Sequence, residues 1–224
     1  VRLRVKTAYP FAEKTEITVE QALPGKMPLY LRIPNWCRET LFRINKGEEK
    51  TIQQSDGFLK IVRLWKDGDT VEIRFVMPVV REHWKNGAGL IRRGPLYYTL
   101  KIGENWRVVK EAGQYHHPSP HLWENYEVLP TEAWNYGLYT PDGTIETVSV
   151  GVKEIRKAVP PQPWTVAGAP VVLEAKARRI PGWQLQDDTA APLQVSPVFS
   201  PEETETVSLI PLGSARLRIS CFPL

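Results

Sequence analysis

The stretch Asp56–Arg74, DGFLKIVRLWKDGDTVEIR, decides how the fold of this chain is read. Apolar side chains recur at Phe58, Ile61 and Leu64, and again at Val71, Ile73 and, one step on, Phe75. Between the two runs lies Trp65-Lys66-Asp67-Gly68-Asp69. Asp-Gly favours a turn, because Gly accepts positive φ and Asp bonds its own backbone. Two strand-like runs around such a dipeptide predict a β-hairpin over Phe58–Trp65 and Thr70–Val76.

The rest of the chain has the same texture. Twenty Pro and fifteen Gly interrupt 224 residues too often for a sustained helical period. Val, Ile, Thr, Tyr and Trp fill the short runs between them, which argues for an all-β fold. Further strands are expected at Val1–Lys6, Glu16–Glu20, Pro28–Ile33, Leu41–Asn45 and Ala88–Leu100. After Gly103 the loops lengthen, with strands expected at Trp106–Val109, Trp134–Leu138, Glu146–Val152, Val171–Ala177, Thr206–Ile210 and Ala215–Ser220. This reads as two antiparallel β-sandwich or jelly-roll-like domains, residues 1–103 and 104–224. Arg32-Ile33-Pro34-Asn35-Trp36 and Arg179-Ile180-Pro181-Gly182-Trp183 echo each other. Pro ends strands, so two similar strand ends explain the echo better than duplication does.

A formal charge of +4 with interleaved signs gives no basic stripe, which sets nucleic acid aside. No apolar run reaches bilayer-spanning length, so no membrane partner is expected. The start, VRLRVKTAYPF, lacks Met and opens in an alternating run, as a fragment of something longer would. Cys37 and Cys221 are too few for a disulfide framework or a cysteine-rich metal site. They read as two free thiols, with one long-range disulfide as the other option, and so low a cysteine count leans towards a cytoplasmic location.

Five segments together resemble glycoside hydrolase family 127. They are LRIPNW (Leu31–Trp36), the Asp56–Phe75 run, RRGPLYY (Arg92–Tyr98), AWNYGL (Ala133–Leu138) and the closing VSLIPLGSARLRISCFP (Val207–Pro223). The characterised members of that family are β-L-arabinofuranosidases. The resemblance implies that an (α/α)6 barrel precedes this region and holds the active site. It implies a zinc ion there, bound by a glutamate and cysteines, with a cysteine nucleophile and a second glutamate as acid/base. No position of this chain matches that zinc-cysteine motif, so no catalytic residue and no cofactor is assigned to it. The partners implied are the upstream barrel, a second copy of the chain and arabinose-containing glycans.

Other candidates are weighed from the residues alone. His116, His117 and His121 with Glu124 have metal-ligand side chains, but Pro118 and Pro120 stiffen the segment, and a solvated loop is the better reading. A glycosidase without the barrel would need two carboxylates about 5 or about 6.5–9.5 Å apart. Glu124 with Glu127 and Asp187 with Asp188 are the pairs available, the latter reading as a turn. Gly94-Pro95 is a turn or bulge and no phosphate loop. Aromatic faces stack on sugar rings, but most of the eight Trp are expected to pack, with Trp106, Trp123 and Trp164 the least constrained. Trp123 and Trp164 are therefore the candidate carbohydrate-binding residues, and no metal ligand is assigned. The expectation is a non-catalytic region supporting the barrel; the alternative is a carbohydrate-binding module.

Overall fold

The structure, a computed structural model, describes residues 1–53, 57–109, 125–156 and 158–224. It is all-β, its only helical pieces being short 3-10 turns among the described residues. Two compact units divide the chain: residues 1–80 with 92–96 and 155–159, and residues 81–91 with 97–154 and 160–224.

The first unit holds β1 (Arg2–Thr7), β2 (Lys14–Gln21), β3 (Lys26–Arg32), β4 (Glu39–Ile44), β5 (Lys50–Gln53), β6 (Phe58–Leu64) and β7 (Thr70–Phe75). Five of these form one antiparallel sheet in the order β1-β2-β7-β4-β5, while β3 and β6 pair as a separate two-stranded layer. Period-2 patterning explains the packing. Ile17 and Val19 of β2, Val71 of β7 and Ile61 of β6 bury one face of each strand around Trp65, joined by the half-buried Leu29 and Leu31 of β3. A second cluster joins Ile33, Cys37, Ile73, Phe75 and Met77.

The expected hairpin is not one. β6 pairs with β3, and β7 lies between β2 and β4, so the two runs belong to different sheets. Residues Trp65–Asp69 form an arch from one layer to the other, and the apolar residues of the runs meet across the core. Alternation alone does not distinguish strands that lie side by side from strands that face each other, because both bury every second residue. The turn itself is as expected: Gly68 has φ +86°, and the Asp69 N–H donates to the Lys66 carbonyl at 3.0 Å. It is secured on β2, where Gly68 N–H donates to the Val19 carbonyl at 2.8 Å and Val19 N–H donates to the Asp69 carbonyl at 2.8 Å. Trp65 fills the corner and donates its Nε1 hydrogen to the Met27 carbonyl at 2.9 Å.

Next along the chain come β8 (Val79–His83), β9 (Gly89–Arg93), β10 (Leu96–Leu100), β11 (Glu104–Val108), β12 (Tyr126–Pro130), β13 (Tyr136–Leu138), β14 (Val150–Ile155), β15 (Val171–Arg179), β16 (Leu185–Gln186), β17 (Thr189–Ala190) and β18 (Glu205–Pro211). A seven-stranded sheet runs β13-β15-β18-β10-β9-β8, with β14 also paired to β15. Residues 97–103 belong to the unit of this sheet, where β10 finds its partner in β18, Tyr98 opposite Pro211. Ala88–Leu100, expected as one strand, is folded back on itself at Gly94, where φ is +57°. Ala215–Ser220, expected as a strand, follows the 3-10 turn Leu212–Ser214 and forms none.

The last residues close the second unit. Gly89 and Phe222 exchange both main-chain hydrogen bonds, at 2.8 and 3.0 Å, and Leu138 N–H donates to the Pro223 carbonyl at 2.9 Å. A Cβ on Gly137 would lie 2.8 Å from that same carbonyl oxygen, so only glycine admits the tail here. The neighbouring Asn135 donates its side-chain amide to the carbonyls of Ile180 and Trp183, at 2.9 and 3.1 Å. AWNYGL, the second R-I-P-x-W and the closing Phe-Pro therefore meet at one place. Both copies of R-I-P-x-W do end strands, at Arg32 and Arg179. Their turns are offset by one residue: Cys37 N–H bonds the Pro34 carbonyl, whereas Trp183 N–H bonds that of Ile180.

Candidate functional site

Of the carboxylate pairs considered from the sequence, Asp187 with Asp188 lies wholly among the described residues. Glu127 lies on β12 opposite Arg107, and Glu124 lies outside the described residues. Asp187 and Asp188 both adopt positive φ, +50° and +59°, in the two-residue turn joining β16 to β17. That is the left-handed pair a tight hairpin turn requires. The histidine cluster His116, His117 and His121 lies outside the described residues. Among the described residues no three His, Cys, Asp or Glu side chains gather as a metal site would require. Cys37 is buried, with its thiol donating to the Glu39 carbonyl at 3.1 Å, and Cys221 is a separate free thiol whose pKa burial pushes up.

Of the two tryptophans named from the sequence, Trp164 is among the described residues, and it shares a groove with Trp106. Trp106 and Trp164 are 48% and 40% exposed, and both line one groove of about 500 Å³ in the second unit. Trp123 lies outside the described residues. β11 carries Trp106, whose ring meets Tyr126 of β12 edge to face at 5.6 Å. Its indole N–H donates to Glu104 Oε2 at 3.1 Å, while Glu104 Oε1 accepts the Arg216 backbone N–H at 2.7 Å. One carboxylate thus orients the indole and fixes the chain segment opposite.

Trp164 sits on a tight loop. Gly168 N–H donates to the carbonyl and hydroxyl oxygens of Thr165, at 3.1 and 3.0 Å, and the Ser214 hydroxyl donates to the Pro163 carbonyl at 2.9 Å. The indole lies against Gly213, where an added Cβ would stand 2.9 Å from a ring carbon. The exposed Lys101 and Arg216 complete the charged rim. Sequence reading left Trp106 and Trp164 among the least constrained tryptophans and named Trp164, with Trp123, as a binding candidate. It missed Gly213, Arg216 and Lys101, which only the fold brings beside them.

The first unit presents a different surface. Alternation along the β3–β6 layer sends Leu29, Leu31 and Ile61 inward and Tyr30, Phe58, Val62 and Leu64 outward, each of the latter more than half exposed. Lys60 lies 5.5 Å above the Tyr30 ring on the same face. These apolar side chains share the outer face with Lys26, Arg32 and Lys60.

Residues 1–77 match the family model for the middle domain of family 127 β-L-arabinofuranosidases. None of the curated proteins matches the chain. Among solved structures, a protein described as a glycoside hydrolase is similar over 99% of this chain and 32% of its own, with TM-score 0.59 and 21% identity. A family 127 β-L-arabinofuranosidase from Geobacillus stearothermophilus T6 is similar over 98% of this chain and 29% of its own, with TM-score 0.52 and 22% identity. A further family 127 β-arabinofuranosidase is similar over 99% and 31%, with TM-score 0.56 and 16% identity. The chain spans about a third of the length of these structures, and at such identities the likeness is one of fold. The resemblance read from sequence motifs is thus met twice, by a family model over residues 1–77 and by family 127 folds along the whole chain.

Proposed function

We propose that this chain is a non-catalytic β region of a family-127-like glycoside hydrolase, with the β3–β6 face packed against the rest of a longer protein. The observation that carries this reading is the match of residues 1–77 to a domain described as the family's middle one. The outward apolar set Tyr30, Phe58, Val62 and Leu64 supports it, because apolar area of this kind gains most when another surface covers it. Zinc and the catalytic groups belong, in this reading, to the part of the protein outside these residues. The test is direct. Incubated with zinc and an aryl β-L-arabinofuranoside, the 224-residue chain should release no arabinose above a mock preparation. Release would overturn the reading.

The second reading, a carbohydrate-binding module, is favoured by one observation: Trp106 and Trp164 line the same groove.

A further inference from the structure

The Trp106–Trp164 groove has a chemistry that narrows its ligand. About 500 Å³ lies within the range of small-molecule sites, which combine aromatic walls with a few polar groups. Two exposed indoles supply the walls. The polar groups are unequal. Both Glu104 oxygens are engaged, one by the Trp106 indole and one by the Arg216 backbone. The Thr165 hydroxyl donates to the Gln162 carbonyl at 3.2 Å and accepts from Gly168, and the Ser214 hydroxyl is spent on Pro163. The Arg216 guanidinium and the Lys101 ammonium remain, and both are donors only. Neither forms an ion pair with a described residue. The groove therefore offers ring faces and, against the single negative charge of Glu104, two positive donors, and asks its ligand for acceptors.

We propose that this groove binds an acidic saccharide, a uronic-acid-bearing chain whose ring face stacks on Trp106 and Trp164 and whose carboxylate meets Arg216 and Lys101. A sugar ring presents an apolar C–H face to an indole, and guanidinium pairs with carboxylate through two parallel hydrogen bonds. Gly213 is part of the device, because its bare Cα lets the Trp164 ring lie flat at the groove wall. The proposal rests on the carbohydrate-binding reading above and is independent of the docking role.

Calorimetric titration of the full chain with oligogalacturonate and, separately, with neutral arabino-oligosaccharides tests it. Saturable binding of the acidic oligosaccharide is expected, at least tenfold tighter than the neutral one and weakened by added salt. Arg216→Gln with Lys101→Gln should weaken it at least tenfold, and Trp164→Ala should do likewise. Should Trp164→Ala fail to fold, the two exposed cation substitutions still decide the matter. Equal affinity for neutral sugar, unchanged by those substitutions, would overturn the acidic class and leave the carbohydrate-binding reading standing. Binding of neither sugar would overturn both. An adenine nucleotide bound more tightly, with the same residue dependence, would also overturn the proposal.

Discussion

The carboxylate of Asp69 accepts the side-chain amide of Asn45 at 3.0 Å, tying the arch between the two layers to the end of β4. Its other oxygen accepts the Lys66 backbone N–H at 2.9 Å and faces Arg63 at 3.5 Å. Burial alone would raise the Asp69 pKa, but Lys66, Asn45 and Arg63 together hold it below the ordinary carboxylate value. Glu72 is held low as well, first by its hydrogen bond to Lys14 and then by Arg43. A carboxyl depressed in the folded state stabilises it fully above its unfolded pKa of about 4, and that stability is lost as pH falls through the folded value. The urea midpoint should therefore drop on acidification below about pH 4, and Asp69→Asn with Glu72→Gln should flatten that limb. At pH 7, Asp69→Asn should cost about 1.5–3 kcal/mol, the range for hydrogen bonds to a charged group. An acid limb identical to that of the parent chain would refute the assignment.

Gly68→Val isolates backbone strain. No atom lies within 4 Å of a Cβ built at Gly68, and its φ is +86°, so the substitution meets no clash but forces a left-handed branched residue. The cost expected is about 1–2 kcal/mol. Thermal unfolding that matches the parent would show that the arch tolerates another turn.

Gly168→Ala isolates close approach. A Cβ there would collide with the Gln162 carbonyl oxygen, whereas one at Gly182 would meet nothing within 4 Å. Gly168→Ala should lower stability by about 1–3 kcal/mol, as overpacking does, while Gly182→Ala changes it little. Equal melting temperatures for the two variants would contradict the loop geometry that holds Trp164.

The β3–β6 face makes its own prediction. The isolated chain should bind a hydrophobic dye and scatter light as a self-associating species. Phe58→Ser with Val62→Ser should reduce both, because these side chains point outward and contribute nothing to the core of the unit. Dye binding unaffected by the pair would remove this face as a docking surface.

How far the sequence could be read is clearest in two segments. Phe58–Phe75 reads as a hairpin and is an arch; Ala88–Leu100 reads as one strand and is a hairpin. In each case the strand character and the turn residue, Gly68 or Gly94, are legible in the local pattern. The partner is not, because pairing is settled by residues far along the chain: Met27 for Trp65, Pro211 for Tyr98. The groove follows the same rule. Trp106 and Trp164 are the least constrained tryptophans that the sequence offers among the described residues, but their meeting place depends on Arg216 and Gly213, which no local spacing connects to them.

The exchange of hydrogen bonds between Gly89 and Phe222 also orders assembly in time. Most of the first unit is a continuous run, residues 1–80, whose strands find one another as the chain grows. The second unit is sewn shut by residues made near its end, the tail that also meets Leu138. Contacts so distant in sequence are slow to form, and chains fold from the N-terminus during synthesis. The growing polypeptide therefore carries most of the first unit before β18 and the Phe222 tail can close the second sheet. Truncation of a few C-terminal residues should strand the second unit in that open state, exposed to proteases and to its neighbours.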